Sequence, residues 1–166
     1  MSFQPVRLDT FLKDMMLRAG SRNEEIQIVL DLRITGLNIQ GDPTRLAQVF
    51  DNLLSNAIKY APGAQVMITL DQEGDQVHIT VSDNGPGIAP EHVNNLFDRF
   101  YRVPTSNVTV RGTGLGLYIC RRIILAHGGT ITVESVVGKG TTFHILLPIE
   151  RREQDMESNL ILRESN

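Results

Sequence analysis

The sequence predicts an α+β fold in two layers, a mixed sheet with helices on one face. Two observations support this prediction. Segments with helical periodicity and segments with strand periodicity are interleaved along the chain. Several of the predicted strand pairs are joined by links that are short enough for hairpins. The economical way to bury the apolar positions of both kinds of segment is to pack the helices against one face of the sheet.

The composition is that of a single globular domain. The chain has 166 residues, of which 41% are hydrophobic and 21% charged, which is ordinary for a globular protein. A net charge of -3 shows no broad basic surface for nucleic acid. The single cysteine, Cys120, excludes an intramolecular disulfide and a multi-cysteine metal site. No apolar run is long enough for a membrane span or a signal peptide, so we expect a soluble, cytoplasmic chain, which could belong to a membrane-anchored parent.

The first part of the chain predicts a helix, a strand and a connection. Apolar residues recur at helical spacing over residues 8–19, and Gly20 follows as a stop signal. Apolar residues then alternate strictly over residues 26–34, which indicates a strand with one buried face. Residues 36–41 are predicted to be a connection.

A second, longer helix follows this connection. Asp42 supplies a capping oxygen and Pro43 takes the first helical position, while Pro62-Gly63 ends the helix. Its apolar face is formed by Leu46, Val49, Phe50, Leu53, Leu54, Ala57 and Ile58.

The rest of the chain predicts four strands and two helical stretches. In order, these are strands over 66–70 and 77–81, a short helical stretch over 93–97, a helix from the glycines at 112–116 to about His127, and strands over 130–135 and 142–148. Turn signals at 73–75 and 138–140 predict hairpins. Residues 1–149 are predicted to form the domain. Residues 150–166 are rich in charge and are predicted to be a disordered tail.

The second helix also has a polar face with Asn52, Asn56 and Lys59. Their spacings of four and three place these side chains along one side of the helix. A solvated surface is the ordinary explanation for such a face. Asparagine is a mediocre helix former, however, and a carboxamide oxygen is a suitable Mg²⁺ ligand, while a lysine one turn later can meet phosphate.

Two glycine-containing loops are candidates for ligand binding. Residues 83–87, Asp-Asn-Gly-Pro-Gly, follow a predicted strand. They are typical of a simple turn, but Asp83 could also accept a hydrogen bond from the amine of adenine. Residues 112–116, Gly-Thr-Gly-Leu-Gly, open a helix and could cradle phosphate. The second loop lacks the Gly-Lys-Ser/Thr of a Walker A loop and the context of a dinucleotide fingerprint.

Arginines flank a polar segment over residues 103–110. Arg99, Arg102 and Arg111 lie around it. A surface loop is the plain interpretation. The functional alternative is a mobile lid that is anchored by Phe97 and Phe100 and that uses arginine against phosphate charge.

Together these segments resemble the nucleotide-binding domain of sensor histidine kinases, within the gyrase, chaperone and mismatch-repair ATPase superfamily. The match covers roughly residues 5–149. Residues 42–60 resemble the N box, 81–88 the G1 box, 96–102 the F box and 112–120 the G2 box. Four motifs in the right order are a strong signal, although each one alone is weak.

The resemblance implies the two-layer α/β sandwich called the Bergerat fold, with a mainly antiparallel sheet and an ATP lid. It implies Mg-ATP as the ligand, with Asn56 on Mg²⁺, Lys59 and Arg102 on phosphate, and Asp83 on adenine. The other residues implied in nucleotide binding are Tyr60, Gly85, Gly87, Gly112, Thr113, Gly114, Leu115 and Gly116.

Asn52 distinguishes ATP hydrolysis from phosphoryl transfer to a histidine. Hydrolytic branches of the superfamily place a glutamate there to activate water, whereas a neutral histidine needs no base to attack phosphorus. The resemblance therefore implies phosphoryl transfer to a histidine in a two-component system, with a response regulator downstream. None of His78, His92, His127 and His144 lies in an acceptor motif. The acceptor is expected on a separate dimerisation domain, and this chain alone is not expected to phosphorylate itself.

Two alternatives remain open. A stand-alone ATPase or serine kinase of the same fold would release phosphate steadily or would phosphorylate serine on a partner. A regulatory pseudokinase would bind ATP but remain inert with an acceptor domain.

Overall fold

The computed structural model describes residues 1–22, 26–104 and 114–150 of the chain. The expected tail beyond residue 150 and the predicted site residues Gly112 and Thr113 lie outside these described residues. The elements are, in order, β1 (Gln4–Arg7), α1 (Leu8–Arg22), β2 (Gln27–Leu32), β3 (Asn38–Gly41), α2 (Pro43–Tyr60), β4 (Gln65–Glu73), β5 (Gln76–Asp83), α3 (Pro90–Val93), α4 (Gly116–Ala126), β6 (Thr130–Val136) and β7 (Gly140–Pro148).

A five-stranded sheet forms one layer of the domain. Its strand order is β2-β4-β5-β7-β6, with β2 and β4 parallel and the other neighbours antiparallel. The β4–β5 and β6–β7 hairpins turn at Gly74 and Gly138, which have φ values of 59° and 81°. The prediction of a mixed, mainly antiparallel sheet is confirmed.

The helices cover one face of this sheet. Strands β4 and β5 alternate between buried apolar residues and more exposed ones, as a sheet with one covered face requires. Helix α2 contributes the largest share of the helical layer. The residues that are at most 1% exposed are Leu8, Leu12, Met15, Ile39, Leu46, Val49, Phe50, Leu53, Val66, Ile68, Leu70, Val77, Ile79, Cys120, Ile124, Ile145 and Leu147.

Helix α2 begins as the sequence predicts. Asp42 is its N-cap, and Oδ1 of Asp42 accepts the N–H groups of Thr44 at 3.1 Å and Arg45 at 3.2 Å. Buried His127, at the end of α4, accepts the Asp42 N–H on Nε2 at 3.0 Å. The start of α2 is therefore fixed by its own cap and by α4 together.

Three local predictions need correction. Residues 38–41 of the predicted connection form β3, which pairs with β1 in a two-stranded sheet. Four-residue strands are too short for alternation to reveal them. Helix α1 does not stop at Gly20 but continues to Arg22, because a glycine inside a helix costs only about 1 kcal/mol. The short helical stretch predicted over 93–97 is α3, which spans Pro90–Val93, because Pro90 begins the helix.

Helix length and hydrophobicity give no sign of a bilayer crossing. Over residues 1–22, 26–104 and 114–150, none of the helices is both long and apolar enough to pass through a membrane.

Candidate functional site

A cavity of about 490 Å³ opens between α2, the end of β5 and the start of α4. This volume is in the range of small-ligand sites. Nine of the predicted site residues line it: Asn52, Asn56, Lys59, Tyr60, Asp83, Gly87, Arg102, Gly114 and Gly116. The structure thus brings together residues from all four motifs. Gly85 and Leu115 lie beside the cavity without lining it.

The α2 side of the cavity carries the predicted polar row. Asn52 and Asn56 are half-buried, whereas Lys59 and Tyr60 are exposed. The Asn52 amide Nδ2 donates to the Gly116 carbonyl at 3.4 Å. Asn52 therefore ties α2 to the first residue of α4.

The loop after β5 lies across the cavity from this row. Asp83 ends the strand, and its Oδ1 accepts the Gly85 N–H at 2.9 Å. A Cβ on Gly85 would lie 2.3 Å from the Cβ of Ala61, at the end of α2. Gly85 therefore allows the loop to pack against α2, while Asp83 faces the cavity.

The β6–β7 hairpin is hydrogen-bonded to the other side of this loop. The Gly138 N–H donates to the Pro86 carbonyl at 2.8 Å, and the Ile88 N–H donates to Ser135 Oγ at 2.7 Å. Gly87 has φ 75°, and a Cβ there would lie 2.3 Å from the Val136 carbonyl oxygen. Close backbone packing explains the glycine at this position.

Residues Phe97–Arg102 and Gly114 form the margin of the predicted lid, here called the lid wall. Arg102 and Tyr101 line the cavity. The hydroxyl of Tyr101 is hydrogen-bonded to Nδ1 of His92 in α3. Phe97 packs edge-on against Phe143, with ring centroids 6.2 Å apart.

One expectation about the lid wall is wrong. Phe100 does not anchor it, because its side chain is 61% exposed and its φ is 64°. Arg99 does not line the cavity. Its guanidinium lies over the rings of Phe100 and Tyr118, at 5.0 and 5.9 Å from their centroids. Cation–π attraction is the physical reason for this position. Arg111 lies outside the described residues.

The start of α4 borders the cavity through Gly116 and Leu117. Leu115 is the N-cap residue and makes no side-chain capping bond. Gly114 has φ 69°, and its carbonyl accepts the Phe100 N–H at 2.9 Å. The first amides of α4 therefore have no side-chain cap, which suits an anion.

Cys120 lies in the helical layer below Asn52. Burial raises the pKa of the Cys120 thiol to about 12. Its Sγ is 3.7 Å from the Val49 carbonyl oxygen and 3.7 Å from Asn52 Nδ2. The thiol stays protonated at neutral pH, so this cysteine is a packing residue and not a nucleophile.

Sequence reasoning missed the strand residues that line the cavity. Thr141 and Phe143 on β7 and Val81 on β5 belong to its floor. Thr141 pairs directly with Asp83, and its hydroxyl is 2.9 Å from Ser135 Oγ. The local sequence signal for this role is the run Gly-Lys-Gly-Thr-Thr at 138–142, because it contains the turn from β6 into β7, the strand that pairs with β5.

Comparisons with known proteins agree with this geometry. Residues 41–151 match the family described as histidine kinase-, DNA gyrase B-, and HSP90-like ATPase. The sensor protein SrrB of Staphylococcus aureus is 49% identical over 109 residues, which are 64% of this chain. The matched part spans only 19% of the length of SrrB.

Solved structures have the same fold. The mycobacterial sensor histidine kinase MprB has 29% sequence identity and a TM-score of 0.77, covering 91% of this chain and 100% of that one. Full-length ShkA in complex with AMPPNP has 29% identity and a TM-score of 0.78, covering 92% of this chain and 32% of that one. The chain therefore belongs to the histidine kinase-, DNA gyrase B- and HSP90-like ATPases, and within them to the ATP-binding domains of sensor histidine kinases.

Proposed function

We propose that this domain binds Mg-ATP and donates the γ-phosphate to a histidine on the dimerisation domain of a longer sensor kinase. A downstream response regulator would then receive the phosphoryl group. The observation that carries the proposal is the cavity in which an amide row, a lysine and an arginine face the Asp83 loop. ShkA, a structure of the same fold, holds the ATP analogue AMPPNP.

The adenine end of the ligand fits the Asp83 loop. One carboxylate oxygen of Asp83 accepts the Gly85 N–H, which holds the side chain in place. A carboxylate has further lone pairs and can accept a bond from the exocyclic amine of adenine. Guanine offers a carbonyl at that position, and a carboxylate repels it, so the site would discriminate between the bases.

The phosphate end fits the opposite part of the cavity. Lys59 and Arg102 supply positive charge, and the first amides of α4 supply N–H donors. Phosphoryl transfer depends mainly on positioning and on charge neutralisation. These groups would orient the γ-phosphate toward the acceptor.

The donor set suits Mg²⁺. No group of three or more His, Cys, Asp or Glu side chains in the described parts of the chain could hold a metal ion. Mg²⁺ is commonly held by few protein oxygens together with substrate phosphates and water, and Asn56 offers one such oxygen. When bound, the ion would neutralise phosphate charge.

Asn52 favours transfer over hydrolysis. Its amide donates to the Gly116 carbonyl, so the side chain acts as a neutral link between α2 and α4. A carboxamide cannot take a proton from water as a general base does. A histidine acceptor has a ring lone pair and needs no such base.

The four histidines of this chain have other surroundings. His127 is buried and hydrogen-bonded, and His92 is bonded to Tyr101. His78 and His144 contact each other on the face of the sheet opposite the helices. This arrangement supports an acceptor on a separate domain.

Calorimetric titration with a non-hydrolysable ATP analogue tests the binding proposal. We expect micromolar affinity, roughly -7 to -8 kcal/mol, and rejection of the guanine equivalent. Asp83→Asn should abolish binding, with Asp14→Asn on α1 as the matched control. Asn56→Ala should remove the Mg²⁺ dependence, with exposed Asn95→Ala as its control. A folded wild-type chain that binds no adenine nucleotide would contradict the proposal.

Transfer is tested by adding the dimerisation domain of a related kinase. We expect acid-labile phosphohistidine on the added domain and none on this chain alone. Steady release of inorganic phosphate without an acceptor would favour a hydrolytic ATPase instead. Binding without any transfer would favour an inert regulatory domain.

A further inference from the structure

The face of the sheet that the helices leave uncovered carries a pair of histidines. His78 on β5 and His144 on β7 lie on adjacent, antiparallel strands. Their side chains are 27% and 25% exposed. The proposed nucleotide site uses neither of them, because the cavity lies on the helical side.

The two imidazoles point ring nitrogens at each other. His78 Nε2 lies 2.9 Å from His144 Nδ1. Each outer nitrogen faces a carboxylate. His144 Nε2 is 3.3 Å from Glu134 Oε2, and His78 Nδ1 is 3.6 Å from Glu73 Oε2.

At 2.9 Å the two facing nitrogens are hydrogen-bonded, so in the neutral pair one of them carries the hydrogen. Glu134 accepts a hydrogen bond from His144 Nε2, which leaves the lone pair of that ring on Nδ1. When the hydrogen of His78 moves to Nδ1, on the side of Glu73, both facing nitrogens present lone pairs and a cation can bind between them.

The surrounding charges also favour a cation. Asp71 on β4 lies opposite His78 in the strand register and adds a third carboxylate to Glu73 and Glu134. Arg33 is 3.6 Å from Asp71 and offsets one of these negative charges.

We propose that His78 Nε2 and His144 Nδ1 form a binding site for a borderline divalent cation such as Zn²⁺. Imidazole nitrogen suits such ions. Tetrahedral zinc with bonds of about 2.0–2.1 Å places two nitrogens about 3.3 Å apart. Partly exposed side chains can open by the few tenths of an ångström required, and water completes the coordination. Glu134 and Glu73 would orient the two rings from outside, as carboxylates do at metal-bound histidines.

A cation here would join β5 to β7 on the face opposite the nucleotide cavity. Since it binds the folded state only, it would stabilise the sheet in proportion to its concentration. Nucleotide binding should not depend on it.

Zinc titration of the full chain without nucleotide tests this site. We expect one equivalent of Zn²⁺ to bind and Mg²⁺ at the same concentration to leave the histidine signals unchanged. His78→Gln and His144→Gln should each weaken binding at least tenfold, and Glu134→Gln about tenfold. His92→Gln, which removes a histidine elsewhere, should bind Zn²⁺ like the wild type.

Two further measurements do not depend on single variants. Zinc should shift the imidazole NMR signals of His78 and His144 and leave those of His92 and His127 in place. At a concentration of 100 times Kd, Zn²⁺ should raise the thermal midpoint of the wild type by about 5–10 °C and that of the His78→Gln/His144→Gln double variant not at all. Zinc binding that survives in the double variant, or a pair that takes up only a proton, would overturn the proposal.

Discussion

The two walls of the proposed nucleotide cavity differ in how firmly the fold holds them. The α2 wall is built on buried residues such as Phe50 and Leu53, which are each 1% exposed. The lid wall contains Phe100, which is 61% exposed and has φ 64°. One wall belongs to the core, and the other rests on its surface.

This difference matches two requirements of the proposed phosphoryl donor. Asn52, Asn56 and Lys59 need fixed positions, and a core helix gives them these. Arg102 lies on the surface wall, and we expect that a shift of this wall could change access for nucleotide and for an acceptor without unfolding the domain. Stability and nucleotide binding should therefore respond to different residues.

The largest contrast is expected between two phenylalanines. Phe50→Ala leaves a cavity between α2 and its neighbours and should lower the free energy of unfolding by about 3–5 kcal/mol. Phe100→Ala removes an exposed ring and should change it by less than about 0.5 kcal/mol. Urea denaturation measures both. Similar losses in the two variants would mean that the walls are equally part of the core.

A smaller loss is expected from the residue that joins α4 to the start of α2. The Nε2 atom of buried His127 accepts the Asp42 N–H. The Nδ1 atom lies 2.7 Å from the Ile123 carbonyl oxygen, so Nδ1 carries the hydrogen. His127→Ala leaves both backbone groups without this partner and should cost about 2 kcal/mol. His144→Ala on the open face, in metal-free buffer, is the control. An unchanged urea midpoint for His127→Ala would show that water replaces the ring.

The α2 wall was also the part that the sequence predicted well. Three of its features are local sequence patterns that span a few turns of one helix. These are the N-cap, the apolar stripe and the polar row. The prediction of the Asp83 loop rested on residues next to each other in the chain. Such features follow from local physical chemistry and from the order of the four motifs.

The missed features depend on pairing between distant segments. Thr141 reaches the cavity because β7 pairs with β5 and places it opposite Asp83. The β1–β3 ribbon was missed since its strands have only four residues each. Phe100 was predicted to be an anchor from hydrophobicity alone, but its backbone conformation turns it outward. The periodicity of apolar residues does not predict the register between distant strands or a positive φ at a single residue.

Gly114 should show the opposite balance to Phe50. A Cβ on Gly114 would lie 2.6 Å from the carbonyl carbon of Phe100, and its φ of 69° disfavours an L side chain. Gly114→Ala should cost only about 1–2 kcal/mol of stability, because the lid wall can shift. It should also weaken binding, raising the Kd for an ATP analogue about tenfold, which is about 1.4 kcal/mol. Gly20→Ala, whose Cβ would meet no atom within 4 Å, is the control. Unchanged nucleotide affinity in Gly114→Ala would show that Gly114 does not contribute to nucleotide binding.

The smallest effect is expected at the start of α2 and depends on pH. The backbone N–H of Ser2 donates to Asp42 Oδ2 at 2.9 Å and is the largest cause that lowers the pKa of Asp42. Burial opposes this shift, while the N–H groups of Arg45 and Thr44 support it. Because the pKa is lower in the folded state, the stabilisation is present above the unfolded value of about 3.9. It is lost as the pH falls through the folded pKa.

Ser2→Pro tests this linkage, since proline has no N–H to donate. The pKa of Asp42 should then return toward its unfolded value, and the urea midpoint should fall less steeply between pH 5 and pH 2 than in the wild type. Ser2→Ala keeps the N–H and should follow the wild type. If the Ser2→Pro and Ser2→Ala curves coincide, the Ser2 bond does not hold the Asp42 carboxylate. The cap of α2 would then depend on Thr44 and Arg45 alone.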